Sequence, residues 1–193
     1  MDIKVDYVVN AKELSCPMPI IKTKKKMSEI EPGSVLEVVA TDRGSKADIA
    51  AWSNSSGEQY LGTVEEEGLM RHFIRKSKPT EVKEPITSER IVDLEQLQEK
   101  RTKEDIVLID VREPAEFAME HIPNSLSIPL GEMEERAAEL DEDDNIYLIC
   151  RTGNRSDFAA KILAKKGFKK ITNVVPGITS WNGPTNTLHG GDE

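Results

Sequence analysis

The stretch from Lys76 to Pro85, KSKPTEVKEP, constrains the fold most, because it separates two parts of the chain that have different patterns. It has no hydrophobic periodicity, two prolines and dense charge, which are features of a linker between domains. We place the linker at residues 78–85, a first domain at 1–77, a second at 86–182 and a flexible tail at 183–193. Two small domains also fit the composition, 37% hydrophobic and 32% charged, since small domains expose more surface per residue.

The first domain alternates strand-like runs with helical stripes. The first stripe runs to Ile30 and stops at Pro32 and Gly33, as helices commonly do. The predicted helices cover residues 16–30 and 45–52, and the predicted strands cover 3–9, 35–40, 59–64 and 69–74. The order β-α-β-α-β-β predicts an α/β fold, a small two-layer βαβαββ sandwich.

The second domain carries short apolar runs between helical segments, at Ile106–Asp110, Ile146–Ile149 and Ile171–Val175. Short runs separated by helices predict a parallel sheet that is covered on both faces, in a three-layer α/β/α domain. Residues 1–80 have balanced charge, so the rest of the chain carries the whole net charge of −9. This acidic balance disfavours direct nucleic-acid binding.

The N-terminal sequence MDIKVDYVVN interleaves charges with apolar residues, so we expect no secretory signal. The longest apolar runs are too short to span a bilayer, and we expect a cytoplasmic protein without membrane attachment. The two cysteines, Cys16 and Cys150, are therefore not expected to form a disulfide. No cluster of four Cys or His residues indicates a metal site.

Cys150 follows the buried strand directly and precedes the loop Arg151-Thr-Gly-Asn-Arg155-Ser156, after which a helix begins. The carboxyl edge of a parallel sheet is where such folds bind ligands. Backbone N–H groups of the loop, the helix dipole and two arginines all favour a thiolate at this position. The sequence therefore predicts that Cys150 is a nucleophile.

The length of this loop bears on the chemistry. Four residues separate Cys150 from Arg155, one fewer than in the phosphate cradle of cysteine phosphatases. A tighter ring suits one sulfur atom carried on Cys150 as a persulfide. Phosphatase-like or arsenate-reductase-like chemistry at Cys150 remains the enzymatic alternative.

Residues 86–182 resemble a single-domain rhodanese, a thiosulfate sulfurtransferase. The matching stretches are Ile109–Glu113, Glu116-Phe117, His121–Pro123, Ile128–Leu130, Cys150–Ser156, Gly167-Phe168 and Gly177–Trp181. The resemblance implies that Cys150 accepts sulfane sulfur, that Arg151 binds the anionic end of the donor and that Arg155 supports the loop. It implies a substrate-binding loop made of Arg151, Thr152, Gly153, Asn154, Arg155 and Ser156. Asp110 and Arg112 are expected to form a structural pair beside the site.

Cys16 begins the sequence Cys16-Pro17-Met18-Pro19, at the predicted N-cap of the first helix. Pro17 suits the first helical turn because its missing N–H would be unpaired there, and Pro19 stiffens the same turn. We expect an exposed thiol whose ionisation is favoured by the positive end of the helix. An exposed thiol without an enclosing loop suits a carrier that hands sulfur to other proteins.

Residues 3–76 resemble the TusA-like (SirA-like) sulfur carriers. The resemblance rests on Leu14, Cys16–Pro19, Ile20–Lys24, Gly33, Ala40–Asp42 and Ser45–Trp52. It implies that Cys16 carries sulfur as a persulfide.

Together the two resemblances predict a sulfurtransferase in which Cys150 takes sulfane sulfur and Cys16 carries it onward as a persulfide, without metal or organic cofactor. Transfer in the reverse direction is the open alternative. The expected donors are thiosulfate, polysulfide or a low-molecular-weight persulfide, and the expected acceptors are thiols or sulfur-carrier proteins. A nonenzymatic sensor or binding module for reactive sulfur is the alternative. His72, His121 and His189 have no partner residue that indicates a Cys-His hydrolase, and we expect them to be ordinary structural or surface histidines.

Overall fold

The computed structural model describes residues 3–78 and 85–188. The chain divides into two compact units, Met1–Pro79 and Thr80–Glu193. This division lies within the predicted linker at 78–85, of which residues 79–84 lie outside the described residues. In the part of the chain that is described, no helix combines the length and the apolar character that crossing a membrane requires.

The first unit has the predicted order of elements. They are β1 (Tyr7–Ala11), α1 (Met18–Glu29), β2 (Val35–Ala40), α2 (Ser45–Ser56), β3 (Gln59–Glu66) and β4 (Leu69–Arg75). The sheet order is β1-β2-β4-β3, with β1 and β2 parallel and the other pairs antiparallel. The predicted βαβαββ sandwich is confirmed.

The core of the first unit lies where the two helices contact the sheet. Helix α1 buries Thr23 and Met27, which are one turn apart on the same face, and Met27 packs with Leu36 and Ile74 in one apolar cluster. Burial of each large apolar side chain contributes about 1.5–3 kcal/mol. This stripe fixes which face of α1 contacts the sheet. It thereby also restricts the position of residues 12–17, which connect β1 to α1.

The second unit contains five strands and four α-helices among its described residues. They are β5 (Ile91–Val92), α3 (Leu94–Lys103), β6 (Val107–Asp110), α4 (Pro114–Met119), β7 (Leu126–Ser127), α5 (Met133–Arg136), β8 (Ile146–Ile149), α6 (Asn154–Lys165) and β9 (Ile171–Val174). All strand pairs are parallel, in the order β5-β9-β8-β6-β7. Strand β8 therefore lies at the centre of the sheet.

The side chains of β8 enter two separate cores. Ile146 and Leu148 belong to one apolar cluster, whereas Tyr147 and Ile149 belong to another. Because successive strand residues point to opposite faces, both faces of the sheet are covered. The predicted three-layer α/β/α domain with a parallel sheet is confirmed.

The beginning of the predicted flexible tail contacts the second unit. Asn186 exchanges two backbone hydrogen bonds with His121, at 2.8 and 2.9 Å, and the N–H of Leu188 donates to the carbonyl of Ala118. The prediction of a flexible tail from residue 183 is therefore wrong for residues 186–188. Asn186 forms an antiparallel β-bridge with His121, which the local sequence does not reveal. Residues 189–193, with His189, lie outside the described residues.

Candidate functional site

Cys150 lies immediately after β8, at the carboxyl edge of the sheet, and is 1% exposed. Its Sγ accepts hydrogen bonds from the backbone N–H of Gly153, at 3.1 Å, and from the hydroxyl of Ser156, at 3.3 Å. Gly153 has φ = +100°, a conformation that glycine adopts without steric cost. That turn directs the N–H back toward the sulfur. The Ser156 hydroxyl, which has a single proton, also lies 3.0 Å from the carbonyl of Gly153.

A second segment crosses the Cys150 loop closely. The carbonyl of Cys150 accepts from the N–H of Ile178, at 2.9 Å, and the carbonyl of Arg151 accepts from the hydroxyl of Thr179, at 2.8 Å. A Cβ on Gly177 would lie 2.5 Å from both of these carbonyl oxygens. Gly177 is therefore needed so that the two segments can approach.

The predicted substrate-binding loop divides into exposed and buried residues. Arg151 and Thr152 are exposed, Asn154 is half-buried, and Gly153 and Ser156 are buried. Arg151 and Thr152 are thus accessible to a donor in solution. Gly153 and Ser156 contact the sulfur atom itself.

Arg155 does not lie where a substrate-binding residue would. Its guanidinium forms a bidentate ion pair with the carboxylate of Glu116 on α4, with N–O distances of 2.6 and 2.9 Å, and the residue is buried. The fork of the guanidinium matches a carboxylate, so the charge of Arg155 is used inside the protein. This corrects its assignment to the substrate-binding loop and agrees with a supporting position beneath it.

Asp110 and Arg112 form the expected pair, and both are buried. Arg112 donates to both carboxylate oxygens of Asp110, at 2.7–3.0 Å, and to the carbonyl of Glu120, at 2.6 Å. Asp110 ends β6, and the N–H of the next residue, Val111, bonds to Ile149 of β8. The pair therefore lies beside the strand that carries Cys150.

Cys16 is exposed and lies one residue before the N-cap of α1, which is Pro17. The predicted N-cap position of Cys16 is therefore wrong by one residue. The Cys16–Pro17 peptide bond is cis, and Pro19 is buried in the first turn. The thiol therefore lies one residue outside the N-cap of α1.

The ionisation predicted for Cys16 is also wrong. A hydrogen bond with Asp48, partial burial and the charges of Asp48 and Asp42 raise the pKa of the Cys16 thiol above its usual value. Asp48 belongs to the first turn of α2, and α2 contacts α1. Full negative charges outweigh the partial positive charge of a helix terminus. No local pattern around Cys16 indicated these neighbours, which lie more than twenty residues away.

The buried His72 forms a hydrogen bond with Ser45, the first residue of α2. His72 of β4 contacts the hydroxyls of Ser45 and Thr63, each at 2.8 Å. Burial, with a smaller contribution from the charge of Lys46, lowers the pKa of His72 to about 4. Sequence reasoning expected an ordinary histidine here, and His72 forms a purely internal network.

His121 also makes internal contacts only. Its Nδ1 lies 2.8 Å from the carbonyl of Phe117, and its ring stacks on the Phe117 ring. Among residues 3–78 and 85–188, no group of three or more His, Cys, Asp or Glu side chains is arranged to hold a metal ion.

Comparison with known proteins assigns each unit to a family. Residues 7–76 match the family described as "Sulfurtransferase TusA", and residues 93–184 match the family described as "Rhodanese-like domain". A Bacillus subtilis protein named "Putative sulfur carrier protein YrkF" is 48% identical over 184 residues, covering 95% of this chain and 99% of that protein.

Two further proteins are similar to part of the chain. A protein of Allochromatium vinosum named "Sulfurtransferase" is 34% identical over 91 residues, covering 47% of this chain and 85% of that protein. A crystal structure of a rhodanese-related protein from Thermoplasma volcanium is 34% identical, covers 52% of this chain and 99% of that chain, and has a TM-score of 0.47.

The two domain families occur in the predicted order, and the similarity to the Bacillus subtilis protein extends over nearly the whole chain. The chain therefore belongs to the sulfurtransferase and sulfur-carrier family in which a TusA domain precedes a rhodanese-like domain.

Proposed function

We propose that Cys150 takes sulfane sulfur from thiosulfate, polysulfide or a low-molecular-weight persulfide, and that the sulfur passes through Cys16 to a thiol acceptor. The observation that carries this proposal is the set of donors on the Cys150 sulfur, namely the N–H of Gly153 and the hydroxyl of Ser156. Donors at this position favour the thiolate that attacks.

With thiosulfate as donor, the Cys150 thiolate attacks the outer sulfur of the donor. A new S–S bond forms to Cys150, the S–S bond within thiosulfate breaks, and sulfite leaves with the electron pair. The exposed Arg151 provides a positive charge for the anionic donor, and its exposure supports this role. No metal or organic cofactor takes part in this proposed step.

In the second step, the Cys16 thiolate attacks the outer sulfur of the protonated Cys150 persulfide. A new S–S bond forms to Cys16, the S–S bond to Cys150 breaks, Cys150 leaves as a thiolate, and the outer sulfur keeps its proton in the newly formed Cys16 persulfide. A stabilised thiolate is the better leaving group. The donors on the Cys150 sulfur therefore support transfer from Cys150 to Cys16.

The test is intact-mass analysis after incubation with ³⁴S-labelled thiosulfate, followed by peptide mapping, on the full chain and on Cys16→Ser and Cys150→Ser variants. We expect Cys150→Ser to abolish labelling by thiosulfate at both positions. Cys16→Ser should retain the label on Cys150 and should keep thiosulfate sulfurtransferase activity, while blocking delivery to a protein acceptor. Equal loss of activity in both variants would contradict this division of roles.

If neither thiosulfate nor polysulfide labels any variant, the sulfur-transfer proposal fails, and phosphatase-like chemistry or sensing would have to be tested instead. If label accumulates without turnover when a thiol acceptor is present, the protein is a sensor of reactive sulfur and not an enzyme.

A further inference from the structure

The residues just after the linker lie against the Cys150 loop. The side chains of Ile86 and Val175 lie 3.1 and 3.0 Å from the position that a Cβ on Gly153 would occupy. The Gly153 carbonyl also accepts from Asn173 Nδ2, at 3.0 Å. Gly153, whose N–H donates to the Cys150 sulfur, is therefore in contact with all three residues, and Ile86 is one of them.

Asp157 of helix α6 forms hydrogen bonds with Thr87 and Ser88, which directly follow Ile86. Its carboxylate accepts four hydrogen bonds from Thr87 and Ser88, from both backbone N–H groups and both hydroxyls, at 2.6–3.2 Å. Its side chain is 5% exposed, and Lys161 adds an ion pair at 2.9 Å. Burial opposes ionisation, but the hydrogen bonds outweigh it and lower the pKa of Asp157 to about 2.

Asp157 is adjacent in sequence to a residue that contacts the Cys150 sulfur, so its hydrogen bonds to Thr87 and Ser88 bear on the position of that residue. Asp157 directly follows Ser156, and its own N–H donates to the carbonyl of Gly153, at 3.1 Å. The first turn of α6 therefore contains Ser156, which contacts the sulfur, and Asp157, which contacts residues 87 and 88. Movement of Asp157 would move both donors to Cys150.

We infer that Asp157 is a positioning residue for Cys150, and that residues 86–88 form a brace that holds Gly153 and Ser156 in place against the sulfur. The brace lies outside residues 93–184, which match the rhodanese family. The inference rests on the proposed function in so far as Cys150 is the residue that accepts sulfur.

The test uses the full chain in a Cys16→Ser background, so that only Cys150 can react. The variants are Asp157→Ala, Ile86→Ala and, as a matched control, Glu95→Ala, which removes an exposed carboxylate from the first turn of another helix in the same unit. The readouts are the rate of Cys150 alkylation by iodoacetamide between pH 5 and 9, kcat/KM with thiosulfate, and Tm.

We expect Asp157→Ala to slow alkylation at neutral pH by about tenfold and to lower kcat/KM by a similar factor, as loss of one hydrogen bond to a charged group would. Ile86→Ala, at a half-buried position, should produce a change of about threefold in the same direction, since it removes contacts without removing a hydrogen bond. Glu95→Ala should match the parent within about twofold, as expected of an exposed surface change.

If Asp157→Ala and Ile86→Ala lower Tm but leave alkylation and turnover equal to those of Glu95→Ala, Asp157 is only a structural residue and the inference is wrong. If Asp157→Ala fails to fold, the Ile86→Ala result decides. Absence of sulfur transfer in the parent protein would refute the proposed function alone, because the alkylation comparison still reports on the brace.

Discussion

The two cysteines of this chain occupy opposite environments. Cys150 is buried at the end of a central strand, and its sulfur accepts hydrogen bonds from an N–H and a hydroxyl. Cys16 is exposed before helix α1, and the charged groups that raise the pKa of its thiol are the carboxylates of Asp48 and Asp42. The difference shows that contacts made in the tertiary structure set the surroundings of each sulfur, with hydrogen-bond donors at Cys150 and carboxylates at Cys16.

The largest expected effect concerns the buried ion pair between Arg155 and Glu116, which supports the loop that follows Cys150. Arg155→Met removes the bidentate guanidinium pair from the buried carboxylate of Glu116, so we expect a loss of about 3–5 kcal/mol in the free energy of unfolding of the second unit. The measurement is urea unfolding in a Trp52→Phe background, where the fluorescence of Trp181 reports on this unit.

Arg136→Met is the matched control for this substitution. Arg136 is 33% exposed, pairs with Glu132 and Glu139 and also donates to the carbonyl of Ser127. Loss of these contacts, which solvent screens, costs about 1–2 kcal/mol. Similar losses for Arg155→Met and Arg136→Met would mean that the Arg155 pair does not support the loop.

The next largest expected effect concerns the unit that contains Cys16. It is the pH dependence of stability that His72 contributes through its contact with Ser45 at the start of α2. The pKa of His72 is about 4 in the folded protein, against an ordinary value of 6.5. Between these values the unfolded chain binds a proton that the folded protein does not, so stability falls as pH decreases from 6.5 to 4. The expected slope approaches about 1.4 kcal/mol per pH unit.

Urea unfolding at several pH values in a Trp181→Phe background, where Trp52 reports on the first unit, measures this slope. His72→Gln should remove the contribution of residue 72 to it. If the slopes of the two proteins are the same across this window, His72 is not the group that titrates on unfolding.

The smallest expected effect concerns the thiol of Cys16 directly. Asp48→Asn removes the negative charge that contributes most to raising the pKa of Cys16. The pKa should therefore fall toward its usual value, and alkylation of Cys16 at pH 7.5 should become several-fold faster. The measurement is made in a Cys150→Ser background, so that only Cys16 reacts.

Glu31→Gln is the control, since Glu31 is an exposed carboxylate that does not contribute to the shift in Cys16. Equal alkylation rates for Asp48→Asn, Glu31→Gln and the parent would mean that the charge of Asp48 does not raise the pKa of Cys16. The two cysteines would then not differ in the charges around them.

Local patterns in the sequence were sufficient for both folds. The stripe of α1, the alternating strands and the short apolar runs predicted a βαβαββ sandwich and a parallel three-layer domain, because hydrophobic periodicity reflects burial at neighbouring positions. The position of Cys150 after a buried strand and before a helix also followed from order along the chain. The pairing of Asn186 with His121 did not, since an edge contact of this kind leaves no local pattern.

The sequence by itself determined which residues are the two thiols, that Cys150 ends a strand and that Cys16 precedes a helix. Only the tertiary structure decided that Arg155 pairs with Glu116, that Asp157 binds residues 87 and 88, and that Asp48 lies beside Cys16. The physical reason is that electrostatic and hydrogen-bonding partners are selected by distance in space. Each of these contacts joins residues that are separated by more than thirty positions in the chain.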